Sequence, residues 1–179
     1  MERARRLIGA LIVLAVAGAV VLVVVVRPGL RDDAERLDRA WGPLVAPLDV
    51  RYRALEAVVP QLTSSGAGNR AATLGLVQLM NRWRVVRTGT DSAEQVRTAN
   101  RIEATAARVG ALTRTARLVK LPALRETYAR FEKSRPTPAV LDRYTRAVDT
   151  YQSRRDGFWS RIVAGLDGYS MRPTLQLVG

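Results

Sequence analysis

The chain has 179 residues, 29 of them Lys or Arg and 16 Asp or Glu, for a formal net charge of +13, and it contains neither cysteine nor histidine. That composition removes disulfides, thiolate and imidazole metal sites, cysteine nucleophiles and every catalytic dyad or triad built on a histidine base. The length, less an apolar stretch near the start, leaves one domain of ordinary size beside an anchor.

In chain order, residues 1–6 form a basic flank carrying Arg3, Arg5 and Arg6. Leu7 to Val26 follows, without a charge or an ordinary polar side chain. At 1.5 Å per residue this stretch covers about 30 Å, the thickness of a hydrocarbon core. Fourteen of its residues are Leu, Ile or Val, and a few tenths of a kcal/mol from each makes insertion favourable by about 5 kcal/mol. A cleaved signal peptide is the competing reading. The apolar run is too long for one, however, and passes through four valines into Arg27-Pro28 with no small-x-small site. Residues 7–27 are therefore expected to be a transmembrane helix in a lipid bilayer. The balance of arginines across it favours a cytoplasmic N-terminus and an extracytoplasmic C-terminal domain at the cell membrane.

Beyond the anchor no alternation of apolar and polar residues argues for a sheet, and the expected fold is all-α: an antiparallel bundle of three to four long helices over residues 28–168, then a tail over 169–179. Pro28-Gly29 is a place to kink or end the membrane helix. A helical stretch from about Asp32 to Leu62 is expected to be interrupted at Trp41-Gly42-Pro43 and Pro47. The acidic run Asp32, Asp33, Glu35 and Asp38 fits a helix start, where negative charge suits the dipole, better than a carboxylate metal site. Thr63 to Asn69 reads as a loop. A helix from Arg70 to Arg87 follows, and then a turn over Thr88 to Asp91 with Asp91 as a cap. Val96, Ala99, Ile102, Ala106, Val109, Leu112, Ala116 and Val119 step by three and four, a stripe that calls for partner helices. After Pro122 a shorter helix reaches about Ser134. After Arg135-Pro136-Thr137-Pro138 one last helix carries Leu141, Tyr144, Val148, Tyr151, Phe158, Ile162 and Leu166 on one face, until Gly165 and Gly168 release the tail.

The segment from Tyr144 to Pro173 resembles, without a gap, the C-terminal signature of LemA family membrane proteins, with Tyr144, Ala147, Val148, Tyr151, Phe158, Ala164, Gly165, Gly168, Arg172 and Pro173 on the matching positions. The N-terminal half is similar too: an anchor, an acidic helix with Trp41, the pair Arg51-Tyr52 and the run Val59-Pro60-Gln61-Leu62. Thr145 and Gln152 replace two asparagines of the signature, and Trp159 stands where the family has proline. The resemblance implies an anchored bundle of long antiparallel helices, associated with the cell envelope and without established enzymatic activity.

Tyr144, Tyr151 and Phe158 recur every seven residues, so their rings are expected on one helix face. Core packing is the plain account of that face; a docking groove for a partner's helix is the sharper one. Together with Gly165, Gly168, Arg172 and Pro173 these residues are the interaction candidates. No catalytic residue, metal ligand or cofactor site is nominated. Excluding the first 26 residues, 26 basic side chains face 15 acidic ones, and all but two of the basic ones are arginine. Anionic lipid headgroups and a purely compositional origin both account for this, whereas nucleic acid is disfavoured by the even spread of arginines and the tether. Two functions follow: a LemA-like envelope scaffold or interaction protein, partnered by a membrane protein or by itself as a homo-oligomer, and an accessory subunit of a larger membrane protein complex.

Overall fold

The structure is a computed structural model, and it describes residues 11, 13–20, 22–68, 70–114 and 121–178. The basic flank, residues 7–10 of the apolar run, Asn69, Ala116 and Val119 lie outside the described residues. Among those described the fold is all-α, with no strand. Helical residues 13–20 lead to a π-helical turn, Leu22–Val26, and then to α1 (Arg27–Glu56), α2 (Val58–Ser64), α3 (Ala71–Val86), α4 (Ser92–Thr113), α5 (Pro122–Lys133), α6 (Pro138–Arg155) and α7 (Phe158–Asp167). One helix, Val13–Ser64, is long and apolar enough to cross a membrane.

The interruptions expected along this helix are absent. Pro28 has no N–H to give and its ring crowds the carbonyl four residues earlier; the wider π-helical turn just before it relieves that crowding, and the helix continues. Pro43 and Pro47 lie within α1. The buried face of α1 is carried by Leu30, Leu37, Trp41, Leu44, Leu48, Tyr52 and Leu55, at three-, four- and seven-residue steps that both prolines miss. The backbone bonds the prolines forfeit thus fall away from the core, and packing holds the helix through them. Because the helix is already under way at Arg27, the acidic run does not open it, and Asp33 is instead buried.

The described chain forms two compact units, one comprising residues up to Asp38 with Arg146–Arg172 and the other Arg39–Thr145 with the tail from Pro173 onward. In the second unit α3 and α4 pack on each other, joined by the tight turn foreseen from sequence; the Asp91 carboxylate accepts the Glu94 N–H at 3.0 Å as its cap. Val96, Ala99, Ile102, Ala106 and Val109 are all buried. The described helix runs to Thr113, and the Ala116 and Val119 end of the expected stripe lies outside the described residues. Gln95, also buried, accepts from Trp41 Nε1 and donates to the carbonyls of Val86 and Gly89 at 2.9 and 2.8 Å, satisfying its whole amide. Tyr52 meets Trp83 edge-on, with ring centroids 5.1 Å apart, and Trp41 meets Tyr144 at 5.3 Å.

The last helix of the sequence reading is two helices. The chain breaks at Gly157, whose extended backbone (φ −60°, ψ 147°) starts α7 in a new direction. Phe158 therefore does not share a face with Tyr144 and Tyr151: those two are buried, whereas Phe158 is 72% exposed. Heptad spacing put three rings on one face only if the helix ran on.

Candidate functional site

The interior of each unit holds a charge on a face that is otherwise apolar. In the first unit it is Asp33, whose carboxylate meets Arg154 Nε at 2.8 Å and Arg36 Nη1 at 3.4 Å. The Arg154 guanidinium lies against Gly29, where a Cβ would collide with it, so the glycine gives Arg154 its route. Residues Tyr169–Arg172 run without helix and are held by their carbonyls: Arg155 Nε donates to Tyr169 at 3.1 Å, Tyr151 Oη to Ser170 at 3.0 Å, and Gln152 Nε2 to Arg172 at 2.7 Å. Burial raises the Tyr151 phenol above its ordinary value while Arg172 and Arg155 pull it down. The Arg172 guanidinium reaches Asp38 at 3.7 Å. Gly168, at φ +73°, ends α7 in the left-handed conformation and turns the chain into this segment. Gly165 faces open space.

In the second unit the buried charge is Arg51, fully enclosed and paired with the equally buried Glu103 on α4. The pairing is two-pronged, Nε to Oε1 at 2.8 Å and Nη2 to Oε2 at 2.9 Å. The remaining guanidinium donors go to the carbonyls of Phe131 (2.6 Å), Ser134 (3.4 Å) and Val178 (2.8 Å), and the Phe131 ring stacks beneath with its centroid 3.8 Å from Cζ. Every N–H of this arginine therefore has an acceptor. Glu103 Oε2 in turn accepts the Val178 N–H at 3.0 Å. Its negative charge adds to burial in raising the Tyr52 phenol well above the ordinary value.

The ion pair thus grips both polar groups of one tail residue, and the tail before it is gripped the same way. Asn100 donates Nδ2 to the Thr174 carbonyl at 2.8 Å and accepts the Gln176 N–H on Oδ1 at 2.9 Å; Tyr144 Oη donates to the Pro173 carbonyl at 2.8 Å. An extended peptide is read through its backbone by side chains on helices, which is what side-chain amides and ion pairs do for a strand that has no sheet to join. Of the interaction candidates, Tyr144, Tyr151, Gly168, Arg172 and Pro173 belong to these tail contacts, while Phe158 and Gly165 do not.

Glu103, Asn100 and the part played by Arg51 were missed from sequence. Arg51 falls between Leu48 and Leu55 on the buried face of α1, so a charge on an apolar stripe was the available sign. A separate cleft of about 410 Å³ is lined by Asp49, Tyr52, Arg53, Glu56, Met80, Trp83, Arg84 and Arg87. Its charges close on one another, Arg87 and Arg53 on Asp49 at 2.6 and 3.0 Å and Arg84 on Glu56. Comparison with protein-family models, curated proteins and solved structures gives no significant match.

Proposed function

We propose that the chain is a single-pass membrane-anchored scaffold of the cell envelope, of LemA type, which works by presenting a helical domain at a bilayer rather than by catalysis. The observation that carries this reading is the apolar helix ahead of α1. Leu11, Val13, Leu14, Val16, Val20, Val24 and Val25 are all exposed on it. Covering such side chains is worth about 1.5–3 kcal/mol each, so leaving them in water costs on the order of 10 kcal/mol, which a bilayer removes. Tyr144, Tyr151, Gly168 and Pro173, which carry the resemblance to LemA, each have a defined part in holding or turning the tail. The arginine excess is partly spent on carboxylates within the chain, as at Arg27–Asp167, Arg87–Asp49 and Arg154–Asp33, which weakens the case for nucleic acid and leaves headgroup attraction as a secondary role.

A second reading, accessory subunit of a larger membrane complex, is favoured by Leu74, Val77 and Val85, three exposed aliphatic side chains on one face of α3. Recovery of the tagged full chain from native membranes in mild detergent separates the two. The scaffold reading expects the chain alone or as a homo-oligomer; a stoichiometric set of other membrane subunits would replace it with the second.

A further inference from the structure

Helix α7 presents four large exposed apolar side chains among the described residues. Phe158, Trp159, Ile162 and Leu166 line one side of it and are 72, 45, 40 and 79% exposed. The opposite side, Ser160, Val163 and Ala164, is buried. Arg161 and Asp167 are its only charges, and Asp167 is taken up by Arg27 at 2.8 Å. A helix apolar on its buried and its outer side alike has little use for water.

Its neighbours say what covers the outer side. α7 packs on the π-helical turn Leu22–Val26, and the Trp159 ring lies in van der Waals contact, 3.8 Å, with where a Gly18 Cβ would sit. Gly18 is nine residues before Arg27, about 13 Å along the helix at 1.5 Å per residue. The Arg27–Asp167 pair marks the polar end of both helices. If the apolar helix lies in hydrocarbon, a helix packed against it over this stretch sits at the same depth.

We infer that α7 is a membrane-embedded helix, running beside the anchor from the headgroup level at Asp167 into the acyl chains, with Phe158, Trp159, Ile162 and Leu166 in contact with phospholipid. The Arg27–Asp167 pair stays at the headgroup level, and the long Arg161 side chain can extend back toward it. The chain is then held at two places, which fixes the rotation and depth of the anchor as a single span does not.

The inference rests on the reading of the apolar helix as a span, and one experiment tests the two separately. The native chain has no cysteine, so V20C, I162C, L166C and V85C each give one site for a polarity-sensitive fluorophore. All four positions are exposed, so folding is undisturbed. The labelled full chain is reconstituted in vesicles of phosphatidylcholine and phosphatidylglycerol and quenched with doxyl groups on the acyl chains or with iodide in the buffer. The expected result is lipid-borne quenching at positions 20, 162 and 166, with protection from iodide, and iodide quenching at 85. Lipid-borne quenching at 20 with iodide quenching at 162 and 166 overturns the inference and leaves the span intact. Shielding of 162 and 166 from both quenchers means that protein covers α7 and also overturns it. Iodide quenching at 20 defeats the span, and the inference with it.

Discussion

Helices α4 and α7 carry apolar side chains at the same helical spacing, yet one has its face inside the protein and the other has it outside. On α4 the stripe is built from Val, Ala and Ile and is covered along its buried length from Val96 to Val109. On α7 the residues are larger and more aromatic, and they stay exposed while small Ala164 and Ser160 face inward. Periodicity therefore tells that a face will be covered without telling by what. Residue size is the better guide: small side chains admit a neighbouring helix closely, whereas large Phe, Trp, Ile and Leu left outside beside an apolar helix suit lipid.

The comparison can be broken most severely on the α4 side. Glu103→Ala leaves Arg51 charged, enclosed and without its partner, and should cost about 3–5 kcal/mol of stability in urea unfolding; it should also free the tail, seen as rapid amide exchange at Val178, which loses its acceptor. Ile102→Ala opens a cavity in the stripe itself and should cost about 2–5 kcal/mol by the same measurement. A substitution of like kind on α7, Leu166→Ala, removes no packing inside the protein, the side chain being 79% exposed, and should cost less than about 1 kcal/mol in detergent.

A pH scan falls between these in size. The Tyr52 phenol is raised above its ordinary value of 10.0 by burial first and by Glu103 second. A group whose value is higher folded than unfolded binds its proton more tightly in the native state, so its contribution is full below pH 10.0 and is lost as pH rises beyond it. Unfolding should become easier above that pH, and Tyr52→Phe should flatten part of the decline. Tyr128 and Tyr151, raised by burial, contribute in the same direction.

What could be read from sequence was local. The turn before Asp91, the starts at Pro122 and Pro138 and the α4 stripe are set by neighbours within a few residues, and the structure has each of them. What could not be read depends on distant partners. α1 survives Pro43 and Pro47 because its opposite face is packed, and α6 stops before Gly157 although the heptad of aromatics runs on. Arg51 meets Glu103 across 52 positions, with no pattern in either helix that names the other. The order of the tail comes from side chains of Asn100, Tyr144, Tyr151 and Gln152 rather than from a repeat of its own, so nothing in its own residues marks it.

The claim on which all this turns is that the apolar helix ahead of α1 crosses a bilayer with the helical domain on its outer side. The most direct test is to wash membranes from cells making the V85C chain in alkaline carbonate, float them, and in parallel treat intact cells with a membrane-impermeant maleimide. The account predicts that the protein floats with the membranes and is labelled without permeabilisation. Labelling only after permeabilisation would reverse the orientation, and release of the chain into the wash would contradict the span itself.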